Sequence, residues 1–105
     1  MSYLNSYSPG GTNRYSAKKM TKPVNFYVRA PEAKTVSVIG DFNKWNRYVS
    51  PMERQPDGTW TVQIQLHHGH HLYQFLVDGQ PKLDPKAIGV GINEKNQQAS
   101  VLAVS

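Results

Sequence analysis

The stretch Thr59 to Leu66, TWTVQIQL, sets the narrowest limits on the fold. Trp60, Val62, Ile64 and Leu66 alternate strictly with Thr61, Gln63 and Gln65, so an extended chain puts every apolar side chain on one face and every amide on the other. A helix would scatter them. Pro56-Asp57-Gly58 turns the chain before this stretch, and the His67-His68-Gly69-His70 hairpin turns it afterwards. Tyr73, Phe75 and Val77 then continue the core face, with Leu72, Gln74 and Leu76 opposite.

The same period recurs upstream. Val24, Phe26, Val28 and Ala30 oppose Asn25, Tyr27 and Arg29 in a first strand that starts at Pro23. Pro31 to Lys34 form a turn, and Thr35 to Ile39 a second strand that ends in the corner GDFNKW. Gly40, Asp41 and Asn43 tolerate tight backbone, so Phe42 is expected to anchor inward and Trp45 to stand outward. Tyr48 to Met52 reads as a short edge strand interrupted by Pro51. Asp78-Gly79 is a further turn, Pro81 to Leu83 with Asp84-Pro85 a short extended piece, and Val101 to Val104 the last strand. No segment has the period of a helix of ordinary length. Six or seven short strands between Pro, Gly, Asn and Asp turns predict an all-β protein, an immunoglobulin-like antiparallel β-sandwich, with a small closed barrel as the alternative.

Charge divides the chain. The net charge is +5, but Arg14, Lys18, Lys19 and Lys22 supply four of those charges with no acid among residues 1–22; the eight remaining basic residues face seven acids. Residues 1–22 are polar, lack an apolar period and read as a flexible basic tail, and residues 23–105 as one domain. A nucleic-acid partner would need a basic patch on the domain itself, so none is expected. The chain has no cysteine, no apolar run approaching the ~20 residues that cross a bilayer, and a start, MSYLNSYSPGG, unlike a secretion signal. The expectation is a cytoplasmic protein with no membrane partner.

Catalytic and metal chemistry find little support. Glycoside hydrolysis uses two carboxylates roughly 5–10 Å apart. The seven acids, Glu32, Asp41, Glu53, Asp57, Asp78, Asp84 and Glu94, fall mostly in turns and form no recognisable pair. Neighbouring histidines on a strand point to opposite faces, so at most two of His67, His68, His70 and His71 converge, short of the about four ligands of a structural zinc site. Neither an enzyme nor a cofactor is expected.

Four motifs in order, VSVIGDFNKW with Met52 after it, DGTW, HHGHHLYQFLVDG with LDP after it, and SVLAV, resemble carbohydrate-binding module family 48 over about residues 24 to 104. This is the early-set α-glucan module found before the catalytic barrel of branching and debranching enzymes and as the glycogen-binding domain of AMP-activated kinase β-subunits. The resemblance implies a sandwich of early-set type that binds glycogen or starch-like α-glucan on one face without hydrolysing it. Pyranose C–H faces stack on aromatic rings while hydroxyls meet polar side chains. Trp45 matches one platform tryptophan of the family. Pro81 stands at the second, Lys82 lies beside it, and Gln74 replaces a sugar-bonding lysine. Ala99 falls near an expected asparagine, with Asn93, Asn96, Gln97 and Gln98 upstream. The candidate carbohydrate site is therefore Trp45, Gln74, Lys82, Asn43 and Asn96, with Tyr48 or Lys82 in place of the second platform ring. Trp60, in step with its strand, is read as core. The partners implied are α-glucan and, beyond it, a glucan-metabolising enzyme or another protein. The alternative function is a stand-alone early-set domain with a degraded sugar site, acting in protein interaction or regulation.

Overall fold

A computed structural model describes residues 20–105. Eight strands follow one another: β1 (Thr21–Arg29), β2 (Val36–Gly40), β3 (Glu53–Arg54), β4 (Thr59–His67), β5 (Gly69–Val77), β6 (Gln80–Lys82), β7 (Gly89–Ile92) and β8 (Gln98–Val104). They form two antiparallel sheets. One has the order β1-β4-β3, the other β2-β5-β8-β7, and β6 pairs with β5 next to β8. The architecture is an all-β sandwich, with no helix among the described residues and thus none long and apolar enough to cross a membrane.

Register explains the alternation in the sequence. Val24, Phe26 and Val28 stand opposite Ile64, Val62 and Trp60, so both strands of the β1–β4 pair turn their apolar rows inward together. Facing them, Val36 and Val38 pair with Val77 and Phe75. Phe75 and Val38 are fully buried. Edge-to-face contacts run through the layer from Phe26 to Tyr73, at 5.1 Å between centroids, and from Tyr73 to Phe75, at 5.8 Å. Trp60 is 7% exposed, and its indole N–H donates to the Ala30 carbonyl at 2.9 Å. It is core, as its phase implies.

Two carboxylates close turns. Asp78 Oδ1 accepts the N–H groups of Lys34 and Thr35 at 2.8 and 2.9 Å, and those bonds, Thr35 first, hold its carboxyl below the ordinary range. Asp57 does the same for the Thr59 N–H at 2.9 Å, with the same sign of shift.

Several boundaries differ from the expectations. The tail expected over residues 1–22 lies mostly outside the described residues. Its last two residues are strand, because Thr21 and Lys22 already pair with His67 and Leu66. Pro23 does not stop β1, since an edge strand leaves one row of N–H groups without ladder partners. The strand expected at Tyr48–Met52 is replaced by turns and one isolated bridge, Ser37 to Pro51. Asn46 Oδ1 captures the Tyr48 N–H at 2.8 Å and keeps that segment turned, so the edge strand forms later, as β3. The last strand starts at Gln98 rather than Val101, paired with the unforeseen β7. Gln74 and Leu76, on the outer side of β5, are as buried as the core, because that side is covered as well.

Candidate functional site

The corner after β2 is built by its own polar groups. The Gly40 carbonyl accepts both the Asn43 N–H, at 3.1 Å, and the Trp45 N–H, at 2.9 Å. Asn43 fills the inside of this loop: Oδ1 accepts the Gly40 N–H at 3.0 Å, and Nδ2 donates to the Val38 carbonyl at 3.0 Å and Ser50 Oγ at 3.1 Å. Gly40 leaves no room for a side chain, because a Cβ there would lie 2.6 Å from the Phe42 ring and 2.7 Å from the Leu72 carbonyl oxygen. Phe42 turns inward, 5.8 Å from Phe26 between ring centroids.

Asp41 fastens the corner to β5. Its N–H donates to the Leu72 carbonyl at 3.0 Å, and its Oδ2 accepts the Leu72 N–H at 3.0 Å. Its Oδ1 lies 3.1 Å from His71 Nδ1, while His71 Nε2 faces the His67 carbonyl at 2.9 Å. The four histidines do not converge, and among the described residues no three His, Cys, Asp or Glu side chains group to hold a metal.

Lys44 and Trp45 both adopt left-handed backbone, φ 57° and 58°. That conformation is uncommon for a bulky residue and is held here by the surrounding hydrogen bonds. It places the half-buried Trp45 indole beside the outer face of the five-stranded sheet. Ile39 and Gln74, register partners on β2 and β5, form the floor there. The β7–β8 connection supplies the far wall, with Asn93, Glu94, Lys95 and Gln97 around a cleft of about 140 Å³. Asn93 shapes that wall: Oδ1 accepts the N–H groups of Lys95 and Gln97, each at 2.9 Å. Gln74 is 8% exposed, and its Nε2 donates to the Gln98 carbonyl at 2.6 Å. The Oε1 of the same amide has no partner among the described residues and remains to accept.

Of the five residues expected at the site, the structure brings Trp45 and Gln74 together. Asn43 lies two positions before Trp45, and its amide is committed inside the corner to Gly40, Val38 and Ser50. Asn96, φ 63°, sits exposed at the tip of the connection and donates its backbone N–H to the Asn93 carbonyl; Asn93 and Gln97 line the cleft in its stead. Lys82 pairs with Phe75 and so lies on the side of β6 opposite to Gln74, whereas Pro81, paired with Leu76, shares the outer face. Tyr48 is exposed in the turn beyond Trp45 and does not line the cleft. The residues that sequence reasoning missed are Ile39, Glu94 and Lys95, along with the part played by Asn93 and Gln97. The polar run NEKNQ before the last strand was the signal for the residues of the connection; Ile39 gave none beyond its place in a strand.

The sequence model of the family described as the glycogen recognition site of AMP-activated protein kinase matches residues 22–105. Among curated proteins, the chain is similar to 1,4-α-glucan branching enzymes. That of Novosphingobium aromaticivorans is 39% identical over 72 residues, covering 62% of this chain and 10% of the enzyme. The Deinococcus radiodurans enzyme is 41% identical over 56 residues, 53% of this chain and 8% of the enzyme. The Mycobacterium tuberculosis enzyme is 36% identical over 83 residues, 73% of this chain and 11% of the enzyme. The chain thus spans about a tenth of the length of the relatives it matches.

Proposed function

The chain belongs to the family described as the glycogen recognition site of AMP-activated protein kinase, and we propose that it binds α-glucan in the cleft beside Trp45. The observation that carries this reading is the left-handed backbone at Trp45, which holds an indole next to an amide with an uncommitted oxygen. A glucosyl ring stacks its C–H face on the indole. Its hydroxyls donate to Gln74 Oε1 and meet Asn93, Lys95 and Gln97 at the rim.

Binding without hydrolysis follows from how the acids are used. Asp41, Asp57, Asp78 and Asp84 each accept hydrogen bonds from the fold itself. Glu94 is the one carboxylate lining the cleft, and cleavage of a glycosidic bond takes two. The relatives named above are 1,4-α-glucan branching enzymes, of which this chain matches about a tenth. By that likeness, this module holds a glucan chain for an enzyme that remodels it.

Affinity electrophoresis through gels containing glycogen tests the reading. The protein should be retarded, and Trp45→Ala should be retarded markedly less while unfolding at the same urea concentration. Free migration of the unaltered protein, together with an indole signal indifferent to maltoheptaose, would overturn it.

A further inference from the structure

The opposite side of the sandwich carries a second, larger concavity that the Trp45 cleft does not use. It is an open trough of about 450 Å³ on the outer face of the three-stranded sheet, in the size range of ligand sites, and Asn25, Tyr27, Glu53, Thr61 and Gln63 are among its lining. Register sets them in rows: Asn25 opposite Gln63, Tyr27 opposite Thr61, and Thr61 opposite Glu53 on its other side.

The hydrogen bonds within this face orient its polar groups. Gln63 Nε2 donates to Asn25 Oδ1 at 3.1 Å, which leaves Asn25 Nδ2 to donate and Gln63 Oε1 to accept. Gln55 Nε2 donates to Thr61 Oγ1 at 3.1 Å, which leaves the Thr61 hydroxyl hydrogen to donate. Glu53 has no partner among the described residues and offers an acceptor. Donors and acceptors therefore alternate across the strands, as a ligand made of hydroxyl groups requires, since each hydroxyl gives one hydrogen bond and takes another. Tyr27 is 51% exposed and supplies a ring at the edge of this array. Lys86 Nζ stands over that ring, 5.5 Å from its centroid.

Other ligand classes fit less well. A nucleic acid or phosphate would meet the Glu53 carboxylate, and an apolar peptide would leave the amides unpaired. We infer that the trough is a second α-glucan surface, with Tyr27 as its stacking ring and Asn25, Thr61, Gln63 and Glu53 as its hydroxyl partners. The choice of α-glucan as the polyol rests on the function proposed above; the site itself rests on this face alone. Two surfaces back to back make the module bivalent. It bridges neighbouring glucan chains rather than holding one, and its hold on a branched particle exceeds that of either face.

The test is an amide-resolved NMR titration with maltoheptaose, run on the unaltered protein, Trp45→Ala, Tyr27→Ala and Gln63→Leu. Two sets of signals should move, one around Ile39, Trp45 and Gln74 and one around Asn25, Thr61 and Gln63. Trp45→Ala should abolish the first set alone. Tyr27→Ala should weaken the second by about tenfold and spare the first. Gln63→Leu, an exposed strand position whose folding is checked in the same spectra, should do likewise. Glycogen turbidity, which reports bridging, should rise with the unaltered protein and with none of the variants. Movement confined to the Trp45 set overturns the second surface and leaves the proposed function standing. No movement anywhere removes both, and movement confined to the Tyr27 set supports the trough while overturning the Trp45 cleft.

Discussion

Asn43→Ala separates a residue that builds the platform from one that touches sugar. The substitution deletes an acceptor for the Gly40 N–H and a donor to both the Val38 carbonyl and Ser50 Oγ, at 3.0, 3.0 and 3.1 Å. Gly40 and Ser50 are buried, so water does not readily replace what is lost. With about 0.5–1.5 kcal/mol net for each bond, and more where a buried group is left unpaired, the cost is about 2–4 kcal/mol. A domain of this size loses about 4–8 °C of melting temperature per kcal/mol, so the midpoint should fall by about 10–25 °C. Ser50→Ala removes only one of the three bonds and should cost about 1 kcal/mol. The double variant should cost less than the sum, because both changes delete the same contact. Urea and thermal unfolding followed by circular dichroism measure all three. A loss below about 1 kcal/mol for Asn43→Ala, combined with retardation in glycogen gels as weak as that of Trp45→Ala, would refute the reasoning and return Asn43 to the sugar-binding surface.

Trp45→Gly and Trp45→Ala should lose the same share of the retardation in glycogen gels, but the glycine variant should be the more stable by about 1 kcal/mol in urea titrations, because φ 58° suits it without a Cβ. Burial, and after it the Asp84 carboxylate that accepts its hydroxyl at 2.6 Å, pushes the Tyr73 phenol well above its usual range. The folded state therefore keeps a proton that the unfolded chain releases near pH ~10, so stability is intact below that pH and falls above it. Tyr73→Phe should flatten that alkaline limb in unfolding midpoints measured against pH. Asp78, held low by the Thr35 and Lys34 N–H groups, has the opposite sign: its contribution is present above the unfolded pKa of about 3.9 and vanishes as the pH falls through the folded value. Asp78→Asn should remove that part of the acid limb, and an unchanged acid limb would contradict the assignment.

What was legible in the sequence was whatever depends on a residue's own alternation. The inward row of β4, the burial of Trp60 and the inward turn of Phe42 follow from period two and a tight corner, and the structure repeats them. What depends on a partner strand was not legible. Strand β7 was missed because GVGI alternates apolar residues with glycine, and Val90 and Ile92 remain more than half exposed. Lys82 was counted with the site for its adjacency to Pro81, but the face it takes is decided by pairing with Phe75, and sequence neighbours on a strand take opposite faces. Asn43 was read as a ligand contact because an asparagine in a polar turn looks the same whether its amide faces out or in. The cleft itself joins positions 39, 45, 74, 93–95 and 97, and the β2–β5, β5–β8 and β7–β8 ladders bring them together.

The fastening of the GDFNKW corner to Leu72 also sets an order of assembly. Asp41 reaches its partner 31 positions downstream, and Gln74 takes its orientation from Gln98, 24 positions after itself. The groups that fasten the corner to the five-stranded sheet at Leu72 and orient Gln74 all lie beyond the end of β4, so local contacts alone cannot complete the platform; the intervening loops must close first. During synthesis, the cleft beside Trp45 is complete only after β8 has emerged. A chain cut short before that point has the tryptophan but lacks the Gln98 carbonyl and the connection that wall its cleft, so any binding at that cleft reports a finished fold.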